Sequence, residues 1–348
     1  MEKVKILIWG FGAMGRGMAE MLLTKKGVEI VAICDIDPLV VNKGFLDVLN
    51  VKTQHENVII SDNIDELLAD NKIDLVLLTT DSFTKNNYPK IVKIVEKGIN
   101  VISTAEEMAY PYVNQPELAK KMDVLAKKHQ ATILGTGINP GFVMDLLVVA
   151  LTGAMMDVKE IEAKRVNSLS PFGKTVMSEQ GVGLSLEEYQ EKMKKGALAG
   201  HVGFKESVHL IAEGLGVKLT DFKEQMAPII TKVDLKSKYG EAKKGHLAGI
   251  DMKAQGFLNN QAFIKMIHPQ QIEPEKSGIN TGDYITLKGT PNIKMSINPE
   301  ISGGVGTIAV CVNMIPHVIN AKPGLKTMLD LPVPRAILGD MRELIEKD

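Results

Sequence analysis

The sequence predicts an α/β protein: a doubly wound parallel sheet, then a second α+β domain built on a mostly antiparallel sheet. Three observations carry this. A glycine-rich turn, WGFGAMGR, lies between a strand pattern and a helix pattern at the start of the chain. Strand and helix patterns then alternate through the first 140 residues. From residue 157 onward, segments of alternating polar and apolar residues take over, as in half-buried strands.

VKILIW is short, largely apolar and bounded by glycine, as a buried strand is. Met14, Met18, Ala19, Met21 and Leu22 recur at helical spacing after it. Gly10, Gly12 and Gly15 thus form G-x-G-x-x-G between strand and helix, the context that gives this short motif meaning. The first glycine makes the tight turn, the second lets backbone approach a pyrophosphate, and the third lets helix pack on strand. The helix N-terminus then faces the phosphates. Gly10, Phe11, Gly12, Ala13, Met14 and Gly15 are therefore expected to line a dinucleotide.

The second strand, VEIVAIC, ends in Asp35. An acid there accepts hydrogen bonds from ribose hydroxyls and repels a 2′-phosphate. Ile36 and Asp37 follow, with no arginine, so NAD is favoured and NADP is the second possibility.

The later elements follow in order. VIIS (58–61) reads as a strand, and DNIDELLADN (62–71) as a helix with an acid at its N-cap. DLVLLTT (74–80) is a continuous apolar run, as in a strand covered on both faces. NNYPKIVKIVEKG is a helix closed by Gly98, INVISTA a strand, 115–130 an amphipathic helix and ATILGTG (131–137) a strand. DVKEIEAKRVNS (157–168) alternates as a half-buried strand does. Two helical patterns follow, LEEYQEKMKKGAL and FKESVHLIAEGLG. Strand patterns dominate from 217 to about 298, with turns at Tyr239-Gly240, Asn259-Asn260 and Gly289 to Asn292. GGVGTIAVCVNMIPHVI (303–319) returns to helix. The expected division is a dinucleotide-binding domain over 1–140, a substrate and dimerisation domain over 141–302, and a C-terminal helical segment over 303–348 that packs back toward the first.

A chain of 348 residues suits two domains, each able to bury a core. A net charge of −1 argues against nucleic acid or an acidic membrane surface as partner. No apolar run is long enough to span a bilayer, and the first strand begins almost at once, so a cytoplasmic protein without a signal peptide is expected. Cys34 and Cys311 lie far apart, which fits a reducing compartment, and both read as core residues. No His/Cys/Asp cluster has metal-ligand spacing.

In doubly wound sheets, ligands sit at the carboxyl ends of the strands. That rule selects Thr79, Thr80 and Asp81 after the fourth strand, Thr104, Glu106 and Glu107 after the fifth, and Asn139, Pro140 and Gly141 after the sixth. Adjacent Glu106 and Glu107 cannot both point the same way. A carboxylate beside a nicotinamide suits a substrate that passes through a cation, holding an ammonium ion and relaying protons to water. The same pair also fits the acidic first turn of a short EEMAY helix. GTGINPG offers backbone N–H groups at the start of the pattern FVMDLLVV, suited to a substrate carboxylate or to a simple domain-crossing turn with Pro140 at the helix start. His201 and Lys205, in GHVGFKES, stand near a glycine turn where either could reach a carboxylate.

GFGAMGR, LTTDSF, VISTAEEMAYP, GTGINPGFVMD, SEQGVG, GHVGFKES and VNMIPHVINAKPGL together resemble the 2,4-diaminopentanoate dehydrogenase family, over nearly the whole chain. That family is similar to dihydrodipicolinate reductase in its first domain and sits with the natural amine dehydrogenases. The resemblance implies NAD(P)-dependent oxidative deamination of the C4 amine of a small diamino acid, with ammonia as product and ornithine breakdown as setting. It implies a catalytic glutamate after the fifth strand, at Glu106 or Glu107, with Glu106 preferred. A homodimer is expected, because the strand-rich second domain has few helices to cover its sheet. Two other readings share the cofactor domain: a reductase of a cyclic imine or enamine, and a non-catalytic NAD-sensing module.

Overall fold

The computed structural model describes residues 2–70, 72–198 and 200–346, so Asn71, the last residue of the predicted helix 62–71, lies outside it. In chain order the first elements are β1 (Val4–Trp9), α1 (Ala13–Leu23), β2 (Val28–Cys34), α2 (Phe45–Leu49), β3 (Ile60–Ser61), α3 (Ile64–Asp70), β4 (Leu75–Leu78), α4 (Thr84–Val95), β5 (Asn100–Ser103), α5 (Pro116–Lys128) and β6 (Thr132–Gly135). Next come α6 (Leu146–Thr152), β7 (Asp157–Ser168), α7 (Lys174–Glu179), α8 (Leu186–Lys194), α9 (Phe204–Gly214), β8 (Asp221–Ile230), β9 (Leu235–Lys236), β10 (Glu241–Ala242), β11 (Leu247–Leu258), β12 (Gln261–Gln271), β13 (Gly282–Thr290) and β14 (Ile293–Ile297). The last are α10 (Gly303–Asn313), α11 (Ile315–Ile319) and β15 (Gly324–Lys326).

The chain divides into two compact units, Met1–Phe142 with Gly303–Asp348, and Val143–Ser302. In the first unit the strand order is β15-β6-β5-β4-β1-β2-β3, and every pair is parallel. All four residues of β4 and of β6 are buried, as expected for strands covered on both faces. One face packs Ile91, Ile94, Ala119, Met122 and Ala126 of α4 and α5 onto Val76, Leu78, Val101 and Ile133. On α1, the helix α10 packs directly. Pro116 at its first position, Glu117 in its first turn and Lys127 and Lys128 in its last set the ends of α5.

Two details differ from expectation. The predicted N-cap acid of α3 is instead an amide: Asn63 Oδ1 accepts the Glu66 N–H at 3.4 Å. The C-terminal segment is not only helical. It supplies β15, which pairs with β6 through Gly324–Thr132, Leu325–Ile133 and Lys326–Leu134 and becomes the seventh strand.

The second unit is a six-stranded sheet, order β14-β13-β7-β12-β11-β8, in which only the β12–β7 pair is parallel. The β11–β12 hairpin turns through Asn259 and Asn260, both at positive φ (50° and 63°), which short amide side chains tolerate. Period-two alternation sorts β7 cleanly. Ile161, Ala163, Arg165 and Asn167 are buried, level with buried Ile264, Met266, His268 and Gln270 of β12. Phe204, Val208 and Ile211 of α9 are buried on the helix that contacts β11 and β12. The opposite face is polar and partly exposed: Glu160 holds Lys265 at 2.9 Å and Lys288 at 3.1 Å. Ser185 and Glu188 form a capping box that starts α8.

Candidate cofactor site and active site

Gly10 leaves β1 at φ 103°, with its N–H on the Cys34 carbonyl at 2.8 Å. Thr79, at the end of β4, donates its hydroxyl to the Gly10 carbonyl at 2.7 Å. A Cβ on Gly10 would lie 2.7 Å from that hydroxyl oxygen, so strand and turn approach as closely as a side-chain-free residue allows. At Gly15 a Cβ would lie 1.9 Å from the Gly10 carbonyl oxygen, and this is what lets α1 close onto the turn. Around Gly12 there is open space instead. Gly12 starts α1 without a side-chain cap, and no acid stands in the first turn. The N–H groups of Ala13 and Met14 there suit a pyrophosphate by charge and by access. Phe11 acts through its backbone: its ring is buried edge-on against Phe45, and its carbonyl accepts from Arg16 Nε at 2.9 Å.

Asp35 turns back onto this loop. One carboxylate oxygen accepts the Phe11 N–H, and the other accepts the Asp37 N–H at 2.8 Å. Each oxygen keeps a second lone pair, so the acid shapes the loop and still has acceptors for ribose hydroxyls. The glycine loop and Asp35 therefore fit an adenine dinucleotide. Further along the sheet edge, Thr80 Oγ1 accepts from Lys90 Nζ at 2.5 Å, where burial pulls the ammonium below the usual lysine range. Asp81 is a turn residue: it accepts from the Phe83 N–H at 2.8 Å and from Asn86 at 3.0 Å.

After β5, the Thr104 N–H donates to the Leu78 carbonyl at 3.1 Å, and Glu106–Ala109 make one 3-10 turn. Here the two glutamates part. Glu107 Oε2 accepts the Thr84 N–H at 2.8 Å, and the Glu107 N–H donates to the Ser82 carbonyl at 3.2 Å. The carboxylate of Glu107 thus caps α4, not the short turn that contains it. Glu106 starts the turn and remains partly exposed. A Cβ on Gly135 would lie 2.2 Å from the Met108 carbonyl, so β6 pins the turn from behind.

The loop after β6 departs from expectation. No helix begins at Gly141 or Phe142; α6 starts at Leu146, with its N–H on its own N-cap, Asp145, at 2.7 Å. Pro140 follows a cis peptide bond within a turn, not at a helix start. Asn139, Pro140 and Gly141 therefore form an irregular loop, with Gly141 at φ 127°. The Ile138 N–H reaches Thr307 Oγ1 of α10 at 3.2 Å.

In the second unit His201 packs edge-on to His268, ring centres 4.8 Å apart, and to Phe204 at 5.5 Å. Burial, then the charge of Arg165, pulls His201 down to about 3, so it is neutral near pH 7 and offers no cation to a carboxylate. His268 shifts the same way for the same leading reason. Lys205 lies on α9, its carbonyl meeting His209 Nδ1 at 2.7 Å.

Residues 142–347 match the family described as 2,4-diaminopentanoate dehydrogenase C-terminal domain, and residues 4–137 match an oxidoreductase family with an NAD-binding Rossmann fold. The whole chain is 53% identical, over 99% of the relative's length, to a 2,4-diaminopentanoate dehydrogenase of Acetoanaerobium sticklandii. The chain belongs to the 2,4-diaminopentanoate dehydrogenase family. An amine dehydrogenase of Streptomyces virginiae is 22% identical across 96% of the chain and 98% of its own length. The solved amine dehydrogenase of Mycobacterium smegmatis shares the fold, with TM-score 0.86 at 24% identity over 97% of this chain and 98% of that one.

Within this NAD-binding family, burial pushes both thiols, Cys34 and Cys311, up to about 12, so neither serves as a nucleophile. Among the described residues no group of three His, Cys, Asp or Glu side chains is placed to hold a metal, and no helix is long and apolar enough to cross a membrane. Sequence reading missed the bond of Glu107 to Thr84, and the ion pair of Arg165 with Asp283, 118 positions apart.

Asp35 leads to a prediction for the family's cofactor choice. kcat/KM should be higher with NAD than with NADP. Asp35→Asn keeps an oxygen for the Phe11 N–H but removes the charge, so it should narrow that gap. A clear preference of the unmodified enzyme for NADP would refute this role.

Proposed function

We propose that the chain oxidatively deaminates the C4 amine of 2,4-diaminopentanoate with NAD, or NADP as second choice, giving 2-amino-4-oxopentanoate and ammonia. The reverse reaction is reductive amination. The observation that carries this reading is the 53% identity, over the full length, to a relative named 2,4-diaminopentanoate dehydrogenase. The site residues are assigned as follows. Gly10, Phe11, Gly12, Ala13, Met14, Gly15 and Asp35 hold the pyrophosphate and ribose. Thr79, Thr80, Asp81, Thr104 and Asn139 follow the dinucleotide along the sheet edge. Asn139, Pro140, Gly141, His201 and Lys205 lie toward substrate.

When bound, the nicotinamide supplies a hydride acceptor. The protein's part is proton handling, and Glu106 is assigned to it. Its carboxylate holds the substrate ammonium, takes one proton to free the nitrogen lone pair and passes that proton to solvent, so that it is charged again to offset the positive charge that develops at C4 as hydride leaves. It then draws a proton from the attacking water and gives it to the nitrogen; the C–N bond breaks, ammonia departs, and the C4 hydroxyl returns its proton to the carboxylate as the ketone forms. Glu107 does not join this chemistry; its carboxylate is engaged on α4. The test is NADH formation with 2,4-diaminopentanoate, ornithine and 2-aminopentane side by side. Strong turnover of the first alone or above the others supports the reading. Turnover of none would overturn it.

The two free cysteines suit a reducing cytoplasm. We also assign a C2 homodimer through the polar sheet face that carries Glu160, Lys265 and Lys288, since charges of both signs on one face can pair with themselves across a two-fold axis. Light scattering at micromolar concentration should give twice the chain mass. A monomer mass would exclude it.

A further inference from the structure

Helix α4 buries Thr84, Asn87, Ile91, Ile94 and Val95, a row at helical spacing. Asn87 stands in that row as a fully buried amide, at a position where an apolar side chain would need no hydrogen-bond partner.

Its bonds explain the choice. Asn87 Nδ2 donates to the Asp81 carbonyl at 3.1 Å and to the Phe83 carbonyl at 3.0 Å. Asn87 Oδ1 accepts from the Thr80 hydroxyl at 3.3 Å. That hydroxyl in turn accepts from Lys90 Nζ, one turn further along α4. Both amide hydrogens and the amide oxygen are used, so the side chain has one orientation. None of these bonds caps the helix. Phe83, the N-cap, offers no side-chain bond, and the Thr84 N–H goes to Glu107 Oε2 at 2.8 Å. Asn87 therefore serves the loop over 80–83, which it grips at Thr80, Asp81 and Phe83.

The other side of the same loop holds the turn that begins with Glu106. The Glu107 N–H donates to the Ser82 carbonyl at 3.2 Å, and the Glu107 carboxylate takes the Thr84 N–H. Backbone and side chain of one residue are thus both tied to the segment that Asn87 fixes. Glu106 is the next residue back along the chain, so a shift of the loop passes directly to it. All of these residues lie in the first unit.

We propose that Asn87 is a positioning residue for the reaction: it locks the loop over 80–83, and through Ser82, Thr84 and Glu107 that loop sets where the Glu106 carboxylate stands. This rests on the assignment of Glu106 above. Being fully buried, Asn87 acts only through its neighbours.

The test is a double-substitution cycle on the full chain. Asn87→Leu fills the place in the apolar row and removes all three bonds. It should lower kcat by about 10- to 100-fold, the scale expected when a reacting group is misplaced by about 1 Å. NADH affinity, read by fluorescence titration, should stay close to that of the unmodified protein, because the glycine loop and Asp35 are untouched. The cycle then shows how the loss is transmitted. With Glu106→Gln already present, adding Asn87→Leu should leave kcat within about two-fold, since no carboxylate remains to be misplaced. An amide that only supports the fold would lower kcat by the same factor in both backgrounds, and that result would overturn the proposal. So would near-normal kcat in Asn87→Leu alone. Asn87→Asp decides the matter if the leucine variant does not fold. It keeps the shape of the side chain and the oxygen that Thr80 uses, but it cannot donate to both carbonyls. It too should lower kcat alone and add nothing to Glu106→Gln; equal losses in both backgrounds would again overturn the proposal. Near-normal kcat in Glu106→Gln by itself would instead remove the catalytic assignment on which the proposal stands, so the two failures read differently.

Discussion

Glu106→Gln should lower kcat by about 100- to 1,000-fold while NADH affinity stays close to that of the unmodified enzyme, the usual effect of removing one electrostatic contact to a transition state. Glu107→Gln should stay within a few-fold in kcat. The reason lies in one 3-10 turn. Glu107 Oε2 takes the Thr84 N–H at 2.8 Å, and its backbone N–H is tied to Ser82. A glutamine oxygen can still accept that N–H, so the cap survives. Truncation to alanine does not preserve it, and Glu107→Ala should cost roughly 1 kcal/mol in stability. Its effect on kcat should follow only from loosening the turn. Stopped-flow turnover, NADH titration and thermal melts on the three variants separate these roles. Near-normal kcat in Glu106→Gln would remove the catalytic assignment, and with it the mechanistic reason to favour an amine substrate.

That the two glutamates differ could not be read from their order. Neighbouring side chains diverge, but which one meets α4 depends on the phase of a turn fixed by Gly135, Ser82 and Thr84, all distant in sequence. The glycine turn and Asp35 were legible because strand, turn, helix and acid follow one another within 35 residues. Likewise β7 was legible to the residue, since period-two alternation is local. By contrast, β15 has three residues and exists only because β6 offers it an edge. The start of α6 was misplaced for a related reason. Phe142 to Met144 look helical by composition, yet Asp145 takes the first N–H and sets the boundary four residues after Gly141.

Other contacts were hidden by distance in sequence. Asn167 and Gln270 are ordinary amides in ordinary strands, and only the parallel register of β7 with β12 sets them side by side. The same distance hides the buried pair of Arg165 and Asp283.

Asp283→Asn should be the most destabilising of the substitutions considered, at about 3–5 kcal/mol, the usual range when one partner of a buried ion pair is removed. Arg165 is 2% exposed, and so is Asp283. Arg165 Nη1 meets Asp283 Oδ1 at 2.5 Å, Nη2 bonds the Ile301 carbonyl, and Asp283 Oδ2 takes the Ile301 N–H at 2.9 Å. The pair therefore ties β7 to β13 and holds the chain just after β14. Burial raises the Asp283 carboxyl above its usual range even with the guanidinium beside it, which shows how costly an isolated charge is here. Neutralising Asp283 leaves Arg165 as that isolated charge. Arg165→Met with Asp283→Leu removes both charges, and should recover most of the loss by replacing ions with apolar volume. Urea melts of the single and double variants give the coupling directly. Equal destabilisation by single and double substitution would mean that lost packing governs the effect, not the stranded charge.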